Sequence, residues 1–212
     1  MAAPLDAIKA IHNAFRRDIA GIDAAALASA QGEPGLEAQI DRFRFFNEVL
    51  VWHAQGEEVA VFPELEKVAP SVAEPYLLDH RGLDVAFDAL SEAVAAQDPL
   101  KTARATAAFK FHLDIHLDKE DAHLYRLFRE RISPADQGKA VGLASSTVPQ
   151  ERFPELVMWL FPLLGPDDRE NMTRIWQMVM PPPAFAGVTQ LIRASVADDW
   201  GQLTERIPEL RD

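Results

Sequence analysis

Two short segments of the sequence, HAQGE at 53–57 and HLDKE at 116–120, each set an imidazole four residues ahead of a carboxylate. In a helix that spacing stacks the two side chains on one face. The face in question is otherwise apolar. Leu50, Ala54 and Val61 share it in the first segment, and Phe109, Leu113, Leu117, Leu124 and Leu127 in the second. A lone histidine precedes each segment on its own apolar stripe: His12 among Ile8, Ile11 and Phe15, and His80 between Leu77 and Leu83. The order is therefore a single His followed by His-x-x-x-Glu, twice over, and the last stripe reads Phe109, His112, His116, Glu120, His123, Leu127 along one inward line.

Apolar residues recur at helical intervals through the chain, and period-two runs rich in Val, Ile and Thr are missing, so the fold class is all-α. Four long helices come first. One follows Pro4 and carries Leu5, Ile8, Ile11, Phe15 and Ile19; the second follows the break QGEPG and runs through Phe43, Phe46 and Leu50, with Pro63 kinking its last turn. The third begins near Pro75, and the fourth opens with Asp98 as N-cap and Pro99 in the first turn. Long helices joined by short breaks favour antiparallel neighbours, which predicts an up-down-up-down four-helix bundle over residues 1–132. Residues 133–212 read as a helical C-terminal extension: after the cap pair Ser133-Pro134 come shorter segments at 134–145, 150–164, 167–180 and, beyond the stop PPP, 184–206. Its Val157, Leu160, Leu163, Ile175, Met178 and Val179 are too many apolar residues to leave in water, so the extension is expected to pack on the bundle.

Burying carboxylates and imidazoles without partners is costly, about 1–3 kcal/mol for an unsatisfied polar group and far more for an isolated charge. One or two cations at the bundle centre would compensate. The sequence holds no cysteine, so the donors are imidazole nitrogen and carboxylate oxygen, the set expected for non-haem iron or manganese and, less specifically, zinc. The duplicated half-sites suit a dinuclear centre better than a single ion. A ferritin-like site would instead show Glu-x-x-His twice; only Glu120 to His123 has that spacing. A purely structural helical protein whose histidines bind nothing is the third reading, and six histidines on converging faces weigh against it.

The order H…HxxxE…H…HxxxE resembles the hemerythrin-like, HHE cation-binding family, and HAQGEEVAVFPEL is similar to that family's signature on the second helix, with HLDKEDAHLYRL its weaker echo on the fourth. The likeness covers roughly residues 8–131. It implies that His12 and His53 hold one iron and His80 and His116 the other. Glu57 and Glu120 would bridge the two irons together with an oxo or hydroxo group; Zn or Mn could substitute. Oxygen-carrying invertebrate hemerythrins place two histidines a turn apart on the third helix, where this chain has Asp84, and use an aspartate five residues after the helix-four histidine, where this chain has Glu120 at four. The sequence therefore looks closer to bacterial members and to the iron-sensing hemerythrin domain of a ubiquitin-ligase subunit. His112, His123, Asp84 and Tyr125 are candidates for an additional ligand or for supporting contacts around the ligands, and Glu58 and Asp121 for solvent or such contacts.

No catalytic residue beyond the metal centre is indicated. Two six-coordinate irons want roughly ~12 donor positions, more than these side chains supply, so open positions are expected. The function implied is binding or reaction with a small oxidant (peroxide, O2 or NO) in oxidative or nitrosative stress, by catalase-like peroxide decomposition or NO reduction if it is an enzyme. The alternative is an iron- or oxygen-sensing protein that controls a partner without turnover. A formal net charge of -12 argues against nucleic acid and anionic membranes as partners. With no signal peptide or long apolar span, a cytoplasmic location is expected.

Overall fold

The computed structural model describes residues 3–34 and 36–211, with no side-chain description for 36–40; Gly35 of the QGEPG break lies outside it. Four long helices form the bundle: α1 (Pro4–Ala30), α2 (Leu36–Gly56), α4 (Glu74–Ala95) and α5 (Pro99–Lys119), with the short α3 (Phe62–Val68) and α6 (Tyr125–Arg131) continuing α2 and α5. Contacts give the directions. His12 meets His53 while Asp18 meets Arg42, so α1 and α2 are antiparallel. Phe43 stacks on Phe87 and Glu58 meets His80, so α2 and α4 are as well. Asp79 meets Lys119 and His116, and Arg16 meets Asp118, which closes the up-down-up-down circuit.

Two features of the sequence set the helix starts. The Asp98 carboxylate accepts the Lys101 N–H at 3.0 Å, and Ser133 Oγ accepts the Asp136 N–H at 3.2 Å, each satisfying a donor the first turn would leave orphaned. Pro182 and Pro183 open the next helix of the extension; as first-turn residues they need no N–H.

Neither continuation is a simple α-helix. Between α2 and α3, Glu57–Val61 forms a π turn in which the Phe62 N–H reaches back to the Glu57 carbonyl. Between α5 and α6, Glu120–Leu124 does the same, with Tyr125 N–H on the Glu120 carbonyl. The kink expected at Pro63 is thus a π turn ending just before it. Pro63 has no N–H and its ring crowds the carbonyl four residues back, a conflict the wider turn relieves. The second π turn has no proline to announce it.

The bundle interior has three layers. At one end Leu5, Ile8, Val61, Phe62, Leu65, Leu124 and Phe128 pack together; at the other, Phe15, Ile19, Phe43, Phe46, Leu90, Phe109 and Leu113. The histidines and glutamates of the repeated motif lie between these apolar layers.

The extension consists of α7 (Pro134–Ser145), α8 (Phe153–Leu163), α9 (Pro166–Val179), α10 (Pro182–Ser195) and α11 (Trp200–Arg206). The segment expected at 184–206 is broken by a 3-10 turn at Ala197–Asp199, where Asp199 accepts from Arg169 at 2.6 Å. Ala7, Ala10 and Ala14 of α1 let the extension approach closely, and against them pack Val157, Leu160, Phe161, Met172, Ile175 and Ile192. Trp159 Nε1 donates to the buried Asp18 at 2.7 Å, tying α8 to the same helix. Gly56 is needed on the other side: a Cβ there would lie 3.0 Å from the Ala144 carbonyl of α7. Met178 and Val179, expected to be covered, are exposed; they form the C-terminal end of α9, one turn beyond the buried Met172 and Ile175.

Phe161 is completely buried in this second core. Phe161→Ala is expected to cost about 3–5 kcal/mol, read as a lower urea midpoint at unchanged slope. A loss below ~1 kcal/mol would mean that the core under α1 is not packed as described.

Candidate metal centre

Six side chains converge at the centre of the bundle in two groups of four. His12, His53, Glu57 and Glu120 form one; Glu57, His80, His116 and Glu120 form the other, and in each the candidate ligand atoms lie within 4.8 Å of one another. The two carboxylates belong to both. His12, Glu57, His80, His116 and Glu120 are buried, and the His53 side chain is nearly so.

The ring nitrogens point inward. His53 Nε2 lies 3.4 Å from Glu57 Oε1, His80 Nε2 3.4 Å from Glu57 Oε2, His116 Nε2 3.3 Å from Glu120 Oε1 and His12 Nε2 3.5 Å from Glu120 Oε2. Two donors each ~2.1 Å from one cation and roughly a right to tetrahedral angle apart stand ~3.0–3.4 Å from each other, so these separations match ligands around an ion.

The outer nitrogens fix the tautomers. His12 Nδ1 donates to Asp121 at 2.9 Å and His80 Nδ1 donates to Glu58 at 2.8 Å, which turns each Nε2 inward as the nitrogen available to a ligand. Asp121 and Glu58 each follow a motif glutamate directly, so each π turn sends one carboxylate to the centre and the next to the lone histidine of the other half. Arg16 holds Asp121 at 2.8 Å. On the far side Asp79, braced by Lys119, stands 3.5 Å from His116 Nδ1. Tyr125 is buried and its O–H donates to Glu57 Oε1.

A cation fits this donor set on the evidence of what the protein leaves unpartnered. Glu57 Oε2, His80 Nε2 and both Glu120 oxygens are buried without a hydrogen bond. His12 Nε2 faces His53 Nε2 at 3.0 Å, two ring nitrogens that suit each other only if one gives up its lone pair. Electrostatics agree. Burial pushes the His53 and His116 pKa values down to about 4, against the pull of Glu57, so both rings are neutral at pH 7. Burial lowers the His80 pKa too, but Glu57 and Glu58 outweigh it and the net shift is upward. Burial favours protonated Glu57, yet His53 and His80 overcome this and hold it below the usual carboxylate range. Glu120, desolvated and facing Glu57, is raised well above that range. A cation would reverse that last shift by supplying the missing charge.

His112 and His123 are not brought in: both are exposed on the outer side of the helix. At ~100° per residue His112 sits ~40° away from His116, enough to carry it off the inward arc. His123 would have been inward on a regular helix; the π turn inserts one residue, so Leu124 and Phe128 take the inward places expected for His123 and Leu127. Asp84 is exposed, at the rim of a cleft leading toward the centre. Sequence reasoning passed over Arg16, Asp79, Lys119 and Phe62, whose ring stacks on His80 at 5.5 Å. Only Arg16, one turn after His12, carried a positional signal.

An all-α bundle with duplicated histidine and glutamate donors at its centre has the donor set to hold cations between its helices. Residues 3–78 match the model of the hemerythrin HHE cation binding domain. That segment includes His12, His53 and Glu57 and ends just before His80. Among curated proteins the chain is 23% identical over 177 residues to the zinc finger protein BRUTUS of Arabidopsis thaliana, covering 80% of this chain and 14% of that protein. It is 22% identical to a BRUTUS-like zinc finger protein of the same plant, over 84% of this chain and 15% of the relative, and 22% identical to a second, over 89% and 16%. The chain thus spans only about a seventh of the length of these relatives. No solved structure matches it. Among the described residues no helix is long and apolar enough to cross a membrane.

Proposed function

We propose that the protein is a non-haem di-iron protein that binds or reacts with a small oxidant, peroxide, O2 or NO, in oxidative or nitrosative stress. The observation that carries the reading is the pair of four-residue groups sharing Glu57 and Glu120, with inward donors left unpartnered. His12 and His53 would hold one ion, His80 and His116 the other, and the shared carboxylates would span both. Two adjacent irons supply two electrons together with positions open to a small ligand. The protein's part is to fix the donors: Asp121 and Glu58 orient His12 and His80, and Tyr125 anchors Glu57. The apolar layers above and below exclude bulk water.

A second reading is favoured by one observation: α1 carries His12 on one face and seats the extension on the other. Cation or oxygen binding could then be reported to a partner without turnover. The much longer relatives, in which a segment like this one is part of a larger protein, suit that arrangement.

Elemental analysis with an absorption spectrum, before and after peroxide, tests both. Two irons per chain and sustained peroxide loss support the first reading; two irons and a single spectral change without turnover support the second. Iron far below one per chain would sink both. In the same assay His116→Ala should lower the iron content from two toward one per chain, and an unchanged content would remove His116 from the ligand set.

A further inference from the structure

The two halves of the centre are alike in donors and unlike in access. His12 is fully buried, and the carboxylate orienting it is tied to Arg16. On the other side a cleft of about 210 Å³ between α2, α4 and α5 reaches the rings of His53, His80 and His116. Its depth is walled by apolar side chains such as Leu83 and Phe109, and its mouth carries Glu58 and Asp84. Among the described residues no lysine or arginine lines it. His80, only 6% exposed, lines the cleft and has an unpartnered Nε2, and Glu57 Oε2 lies 3.4 Å beyond that atom.

We propose that this cleft is the loading route for the divalent cations, with Asp84 and Glu58 drawing the ion to the mouth and His80 with Glu57 taking it up first. The proposal rests on the two-cation reading above. The mouth carries negative charge without a compensating base, which concentrates cations and repels anions in a low-dielectric cleft. At ~30 Å³ per water, the space equals about seven waters, enough for an ion entering with much of its hydration shell. Glu58 is placed for the transfer because its side chain is 42% exposed while its Oε1 accepts from His80. The half around His12 has no such acid at an open mouth, since Arg16 neutralises Asp121. The ion bound by His12 and His53 would then arrive through the first half, across the shared carboxylates.

The test is anaerobic stopped-flow uptake of Co2+, followed by its visible absorption, in wild type, Asp84→Lys and Glu205→Lys. Glu205 is exposed on α11, so its variant makes the same change in net charge far from the mouth. Asp84→Lys is expected to slow uptake about five- to ten-fold at low ionic strength, with the gap closing near ~0.5 M salt and two equivalents still bound at the end. Glu205→Lys should load like wild type. Equal rates for all three proteins, each still taking up two equivalents, would overturn the route while leaving the two-cation centre standing, and would assign the cleft to the small oxidant. Wild-type protein that takes up no Co2+ would overturn both readings together.

Discussion

Ferrous iron added anaerobically to the metal-free protein should raise its unfolding temperature by about 15–30 °C at a thousand-fold excess over the dissociation constant. The figure follows from mass action. A ligand that binds only the folded chain adds ~4 kcal/mol per site at that excess, and a chain of this size moves its midpoint by about 2–4 °C per kcal/mol. On the proposed two-ion reading, sites sharing two carboxylates should load nearly together, because the first ion would ionise Glu120 for the second. The expected thermogram therefore shifts as one transition toward the loaded form. Differential scanning calorimetry with and without a chelator is the measurement. An unmoved midpoint would mean that the buried donors are satisfied by the protein alone, against the unpartnered atoms of Glu57, His80 and Glu120.

Glu120→Leu should reverse sign between the two states of the protein. In the metal-free form a fully buried carboxylate with both oxygens unpartnered is replaced by an apolar side chain of similar size, and gains of about 1–4 kcal/mol are typical of such exchanges. In the presence of iron the variant loses a donor common to both groups, and with it most of the cation-dependent stabilisation. The advantage in the metal-free form depends on pH in a fixed direction. Because burial and Glu57 raise the Glu120 pKa, the folded wild-type chain holds a proton that the unfolded chain releases above its ordinary carboxylate pKa. The Glu120 contribution to wild-type stability therefore falls as pH rises from about 5 to 8, and leucine, which has no proton to hold, does not share that fall. Urea titrations at those two pH values, with and without iron, would show it. A variant less stable than wild type in the metal-free form would count against an uncompensated Glu120.

The helices of the bundle were legible because their stripes are strong: Ile8, Phe15, Phe46, Leu83 and Phe109 fall where the 3.6-residue period puts them, and all are buried. The convergence of His12, His53, Glu57, His80, His116 and Glu120 was also readable, since polar residues on an apolar stripe have nowhere else to point. What the period could not show was a change in the period itself. The π turn at Glu120–Leu124 has no proline or glycine to mark it, so His123 was placed inward by a regular helix the chain does not make there. Asp79 and Lys119 escaped notice for a different reason: their role comes from the register between α4 and α5, which no local pattern encodes. Exposure at the end of α9 misled in the opposite way, because Met178 and Val179 look like core residues by chemistry alone.

The double duty of α1 has a thermodynamic corollary. One helix presents His12 to the candidate metal centre and, on its nearly opposite face, Ala7, Ala10 and Ala14 to the extension, so whatever restricts that helix on one side is felt on the other. By reciprocity of linked equilibria, if ion occupancy tightens the grip on α8 and α9 by some factor, prising those helices away must weaken ion affinity by that same factor. Competition for the extension would then act as a release lever for the metals.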